Sequence, residues 1–315
     1  MRAGFVNGVL ALAMLALLAS AGWLWLAGGA EVLAAWAQAG QERTQRAMAG
    51  FLRQLRAGEA GALTGLLGLC FAYGFFHAAG PGHGKALIGG YGVARRIPAL
   101  RLSLVALGAS VAQALSAIAL VHAGLWALDA TRERLTGLAE GTMTTASYAA
   151  VALIGLWLAL RGTRRLWRLR PGRSRPDDVP NDAASTTSAP ACAGCGHRHA
   201  PTPEEVRALT GWREIGALIA AVAVRPCTGA LFLLILTWQL GVAGAGILGA
   251  LAMGLGTASV TVLVALAAVT LREGALSRLV AAAPAGLAAR ALPLVEMAAG
   301  AMIATLAVQL LRAGL

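Results

Sequence analysis

The chain alternates long apolar runs with short polar breaks. A helix needs about twenty apolar residues to cross the hydrocarbon core of a bilayer. Seven runs meet that length or approach it: 5–30, 61–80, 102–128, 145–160, one starting near 215, 242–269 and 292–311. The first also resembles a signal segment, with Arg2, an apolar core and then Ala19-Ser20-Ala21. Six spans remain if it is cleaved. The apolar run continues through Trp23, Leu24, Trp25 and Leu26, which favours an uncleaved anchor.

Two stretches depart from this pattern. Within 31–60, Met48, Phe51, Leu52 and Leu55 recur at helical spacing among Gln, Glu and Arg. That pattern predicts an amphipathic helix on the membrane surface, serving as a solvated connector. Residues 162–213 are rich in Arg, Pro, Ser, Thr and Asp, which predicts a flexible loop. The expected organisation is an amino-terminal helix or anchor (1–30), a periplasmic amphipathic segment (31–60), a first helical repeat (61–161), a cytoplasmic loop (162–213) and a second helical repeat (214–315).

Composition fits this picture. Hydrophobic residues make up 58% of the chain and charged residues only 13%, where a soluble domain carries about 25% charge. The class is all-α and polytopic, and the bilayer is its first partner. The formal charge of +12 would suggest nucleic acid in a soluble protein. Here it follows from Arg bias in the loops, and no nucleic-acid partner is implied. The stretch 161–213 alone holds ten Arg, against four in 31–60. This asymmetry predicts an inner-membrane protein with its amino terminus and long loop in the cytoplasm. No nucleotide-binding motif is present, so nucleotide hydrolysis is not the expected energy source, and no enzymatic role is expected. No permanently bound cofactor is implied, and a homo-oligomer is compatible with the sequence.

The breaks carry the polar chemistry. His77-Ala-Ala-Gly-Pro81-Gly-His83-Gly-Lys85 interrupts the second run, and Arg225-Pro-Cys227-Thr228-Gly229 interrupts the fifth. Polar groups at a break inside a membrane segment are costly unless they line a cavity. The two breaks resemble each other weakly and lie three spans apart, which predicts two inverted three-helix repeats with broken helices at the midplane. In each half a helix rich in small residues follows the break, and small residues allow close helix approach.

Imidazole nitrogens suit nickel, cobalt, zinc and copper, and thiolate is a soft ligand for late transition metals. His77 and His83 are therefore candidate ligands, which the Gly80-Pro81-Gly82 break would bring together. Cys227 is a third candidate, with a buried structural thiol as the competing reading. Gln113, Ser116, Thr228 and Thr257 are candidate oxygen donors or interhelical hydrogen bonders. Lys85, the chain's one lysine, and Arg225 would repel a cation. A pairing of both with Glu296, the one acidic residue well inside a span, would relieve this. His122 is expected at the interface. In the long loop, Cys192, Cys195, His197 and His199 form CxxC followed by HxH, a candidate transient metal-binding segment.

Taken together, His77-Ala-Ala-Gly-Pro-Gly-His83-Gly-Lys85, Arg225-Pro-Cys-Thr-Gly-Ala230 and Ala252-Met-Gly-Leu-Gly-Thr-Ala258 resemble the signatures of the NicO family of bacterial nickel/cobalt permeases. A Cys/His-bearing loop between the halves is similar as well. The resemblance covers roughly residues 60–315 and implies export of nickel or cobalt from the cytoplasm, with zinc a further candidate substrate. This loop holds fewer histidines than those of the His-rich members. Two other classes compete. One is a membrane thiol–disulfide carrier using Cys70 and Cys227. The other is a permease that binds an anionic or amino-acid solute through Lys85 and Arg225.

Overall fold

The computed structural model describes residues 28–80, 83–95, 97–127, 132–169, 212–276 and 285–313, and these are helices joined by turns. In chain order they are α1 (Gly29–Arg56), α2 (Ala62–Ala79), α3 (His83–Ala94), α4 (Ala99–Ala127), α5 (Arg132–Leu138), α6 (Thr144–Arg168), α7 (Trp212–Ala223), α8 (Thr228–Gln239), α9 (Ala243–Leu271) and α10 (Ala285–Ala313). A π-helical turn, Ala139–Met143, joins α5 to α6, and another, Arg272–Leu276, extends α9. Among the described residues, five helices are long and apolar enough to cross a membrane, and the pair formed by α7 and α8 makes a sixth candidate span bent by 63°. The predicted span 5–30 lies outside the described residues apart from its last three. Helix suits these runs because a backbone without water must satisfy its own hydrogen bonds.

Both predicted breaks are present, and proline chemistry accounts for them. Gly80 caps α2 in an extended conformation, φ −63° and ψ 166°, as expected of a residue before proline. Cys227, just after Pro226, is likewise extended at φ −72° and ψ 125° and caps the start of α8. In the first half, helix resumes at His83 as the short α3.

The long helix α9 packs on α2, α4, α8 and α3, and α6 packs along α10. Small residues set the contact distance. A Cβ added at Gly256 of α9 would collide with the Phe71 carbonyl of α2. Two apolar clusters fill the interior. One includes Leu87, Tyr91, Leu102, Leu158 and Ile303. The other includes Leu66, Cys70, Tyr73, Leu231, Leu234 and Met253.

Three expectations change. The segment 31–60 is no solvated connector, because α1 packs along α2 through a buried stripe of Ala37, Gly40, Thr44, Met48 and Leu52. The fourth apolar helix continues beyond residue 160 to Arg168, eight residues past the predicted span. Glu296 does not partner Lys85 or Arg225. It is fully buried, with Arg165 at 3.0 Å, Arg161 at 3.2 Å and Arg95 at 3.8 Å. Arg95 also pairs with Glu214 at 3.0 Å, and the Tyr91 hydroxyl donates to Glu214 at 2.8 Å. Arg272 donates to the carbonyls of Gly92 and Ile97 at 3.2 Å each, and to that of Arg95. The helix α3, the end of α6, the start of α7 and α10 are thus tied at one end by a buried ionic cluster.

Candidate functional site

Because the chain breaks twice, two helix ends meet inside the bundle. The cavity there has a volume of about 620 Å³, and both breaks line it. From the first break come His77, Gly84 and Lys85; from the second come Arg225, Pro226, Cys227 and Thr228. Gln113 of α4, Tyr148 of α6, Thr257 of α9 and Ile303 of α10 complete much of the wall. Six waters of a first hydration shell occupy about 180 Å³ at their liquid volume, so a divalent ion need not enter stripped.

Four polar groups of the lining have identifiable partners. Gln113 donates its amide to the Arg225 carbonyl at 2.8 Å, which satisfies a backbone acceptor at the second break. Thr257 donates to the Gly74 carbonyl at 3.2 Å, across the α2–α9 contact. Lys85 donates to the Gly80 carbonyl, the acceptor exposed where α2 ends. Arg225 donates to the Tyr148 hydroxyl at 2.5 Å, with its guanidinium carbon 5.0 Å from that ring's centroid. The two cations of the cavity are therefore held by neutral groups. No carboxylate is among the described cavity-lining residues.

His77 stands on the last turn of α2. Its Nδ1 lies 3.2 Å from Oε1 of Gln41, and its ring is nearly parallel to that of Tyr73, centroids 6.2 Å apart. Cys227 is a free thiol and lines the cavity. The cavity thus offers imidazole nitrogen, thiol sulfur and hydroxyl or amide oxygen, a set that suits a borderline or soft divalent ion. Among the described residues no group of three His, Cys, Asp or Glu comes together as a metal cluster. His83 opens α3, and its side chain lies outside the described residues, as do Cys192, Cys195, His197 and His199.

Other predicted residues fall elsewhere. Ser116 donates to the Gln113 carbonyl on its own helix at 2.8 Å and does not line the cavity. His122 Nδ1 bonds the Ile118 carbonyl at 2.9 Å, and its ring meets Trp238 edge to face, so it packs between helices. Cys70 is free and buried in the second apolar cluster, away from the cavity lining. Sequence reasoning missed Gln41 and Tyr148, and also Ser110 and Thr261, whose hydroxyls share a hydrogen bond of 3.2 Å at the cavity wall.

No solved structure matches the chain. A protein of Haemophilus influenzae named "Putative nickel/cobalt efflux system" is 28% identical over 262 residues, covering 81% of this chain and 78% of that protein. The NicO family model, described as a high-affinity nickel-transport protein, matches residues 63–188, which include the first break and its two histidines. Residues 63–188 thus match the NicO family, and the likeness to the Haemophilus influenzae protein extends over most of the chain.

Proposed function

We propose that this protein exports nickel or cobalt from the cytoplasm across the bacterial inner membrane, through the cavity where the two helix breaks meet. The observation that carries the reading is the joint lining of one cavity by His77, from the first break, and Cys227, from the second. His83 would complete the ligand set from the start of α3. The exchanged packing of the two halves supports an inverted-repeat transporter: α9 of the second half lies on α2 of the first, and α4 of the first lies on α7 of the second.

The absence of carboxylates among the described lining residues fits a transport site better than a storage site. A permeating ion must be bound well enough to enter and weakly enough to leave. Neutral donors beside Lys85 and Arg225 give such a shallow well. The long loop, through Cys192, Cys195, His197 and His199, would capture metal on the cytoplasmic side before transfer.

A second reading draws on those two cations: the cavity would hold an anionic solute between Lys85 and Arg225. Whole-cell accumulation measured across nickel, cobalt, zinc and copper, with and without the protein, separates the two. Export of nickel or cobalt lowers the intracellular content of that metal when the protein is expressed. Unchanged metal content for all four would leave the anion reading standing and remove the first.

A further inference from the structure

We propose that Gln41 sets the tautomer of His77 and is a positioning residue of the transport site. The proposal rests on the reading of His77 as a metal ligand. Gln41 lies on α1, ahead of residues 63–188 matched by the family model.

Gln41 Nε2 donates to the Ala37 carbonyl at 3.4 Å, one turn earlier on its own helix. A flipped amide would set its oxygen against that carbonyl, with two acceptors facing each other. The amide oxygen is therefore the atom that faces His77, at 3.2 Å from Nδ1. A carbonyl oxygen only accepts, so the proton of neutral His77 sits on Nδ1. The lone pair is left on Nε2, ready for a metal. Metal-ligating histidines are usually held this way, with the second ring nitrogen donating to an oxygen.

Packing fixes the donor and the acceptor relative to each other. A Cβ at Gly40 would meet the Phe76 ring, so α1 approaches α2 closely at that level. Trp36 packs edge to face on Phe76, with centroids 5.0 Å apart, and on Phe75 at 6.4 Å. Thr44 donates to the Gly40 carbonyl at 2.9 Å on the buried side of α1. Tyr73 aligns with the imidazole from within α2. Gln41 does not line the cavity, so it acts on the ion only through His77.

The test uses purified full-length protein with labelled histidine. Nitrogen NMR of the metal-free protein reports which imidazole nitrogen carries the proton, and the H77A difference spectrum assigns the signal. Nickel titration gives affinity. Wild type is expected in the Nδ1–H form. Gln41→Leu is expected to move His77 toward a mixture of tautomers and to weaken nickel binding by ~10- to 100-fold, the usual cost of losing such a partner. Gln41→Glu, which keeps an acceptor at the same reach, restores both readouts. Gln41→Asn, drawn back by one methylene, repeats the loss and serves if the leucine variant does not fold. A role in helix packing alone would leave the tautomer unchanged in Q41L. Wild type in the Nε2–H form overturns the proposal, as does Q41L with an unchanged tautomer and unchanged affinity. Full nickel affinity in H77A removes the transport-site reading itself, a result distinguishable from failure in Q41L alone.

Discussion

The side chain of Gln113 on α4 holds the carbonyl of Arg225, 112 residues away, at 2.8 Å. That bond joins a helix of the first half to the broken helix of the second. The Arg225 carbonyl sits at a bend where the helical ladder is interrupted, so it needs a partner from outside its own segment. Replacing Gln113 by Leu leaves the acceptor unpaired at a half-buried site, and a loss of about 1–3 kcal/mol is expected. Thermal unfolding in detergent checks the stability. Nickel flux should fall as well, because the second wall of the cavity loses its tie to α4.

Glu296 is expected to be a stability residue rather than a transport ligand. It is fully buried among Arg95, Arg161 and Arg165. Glu296→Leu strips the cluster of its central anion and leaves cations facing one another, at a cost of about 3–5 kcal/mol for breaking a buried ionic group from one side. The expected result is a large drop in melting temperature and in membrane yield. Equal stability of E296L and wild type would contradict this placement of the charge.

Gly256 is expected to tolerate no larger residue. Its missing Cβ is the space taken by the Phe71 carbonyl. Gly256→Leu forces α9 away from α2 and costs about 1–3 kcal/mol or more, since overpacking against rigid backbone is not relieved by a side-chain rotation. Loss of the Thr257 bond to the Gly74 carbonyl should accompany it. A melting curve of G256L beside that of wild type is the check.

Cys227→Ser keeps the volume and the polar atom but replaces a soft donor with a hard one. The thiol lines the cavity at the start of α8. Selectivity among nickel, cobalt and zinc is expected to change while the fold persists. Parallel titrations of the three metals on wild type and C227S would show it. An identical affinity ladder would assign Cys227 to packing.

Much of this was legible in the residues before the structure. The six apolar runs from residue 61 onward, and both breaks, follow from hydrophobic length and from Pro81 and Pro226. His77, Lys85, Gln113, Arg225, Cys227, Thr228 and Thr257 all line one cavity. They were visible because polar residues are scarce and costly in such runs. Glu296 stands out for the same reason, but its partners are not the expected Lys85 and Arg225. Its partners come from residues 95, 161 and 165, and Arg161 and Arg165 fell beyond the predicted end of an apolar run whose helix in fact continues. Gln41 escaped because a polar residue on an amphipathic helix carries no such signal. One clue was available: Gln41 lies one turn after Ala37 and borders the stripe of Ala37, Gly40, Thr44 and Met48 that faces α2.

The central claim is that the cavity between the two breaks carries the metal and that His77 holds it there. The most direct measurement is radiolabelled nickel flux into vesicles reconstituted with wild-type protein or with His77→Ala, both checked for equal insertion and equal melting temperature. The account predicts saturable flux for wild type and, for H77A, flux no greater than in protein-free vesicles. Wild-type flux in H77A would contradict it.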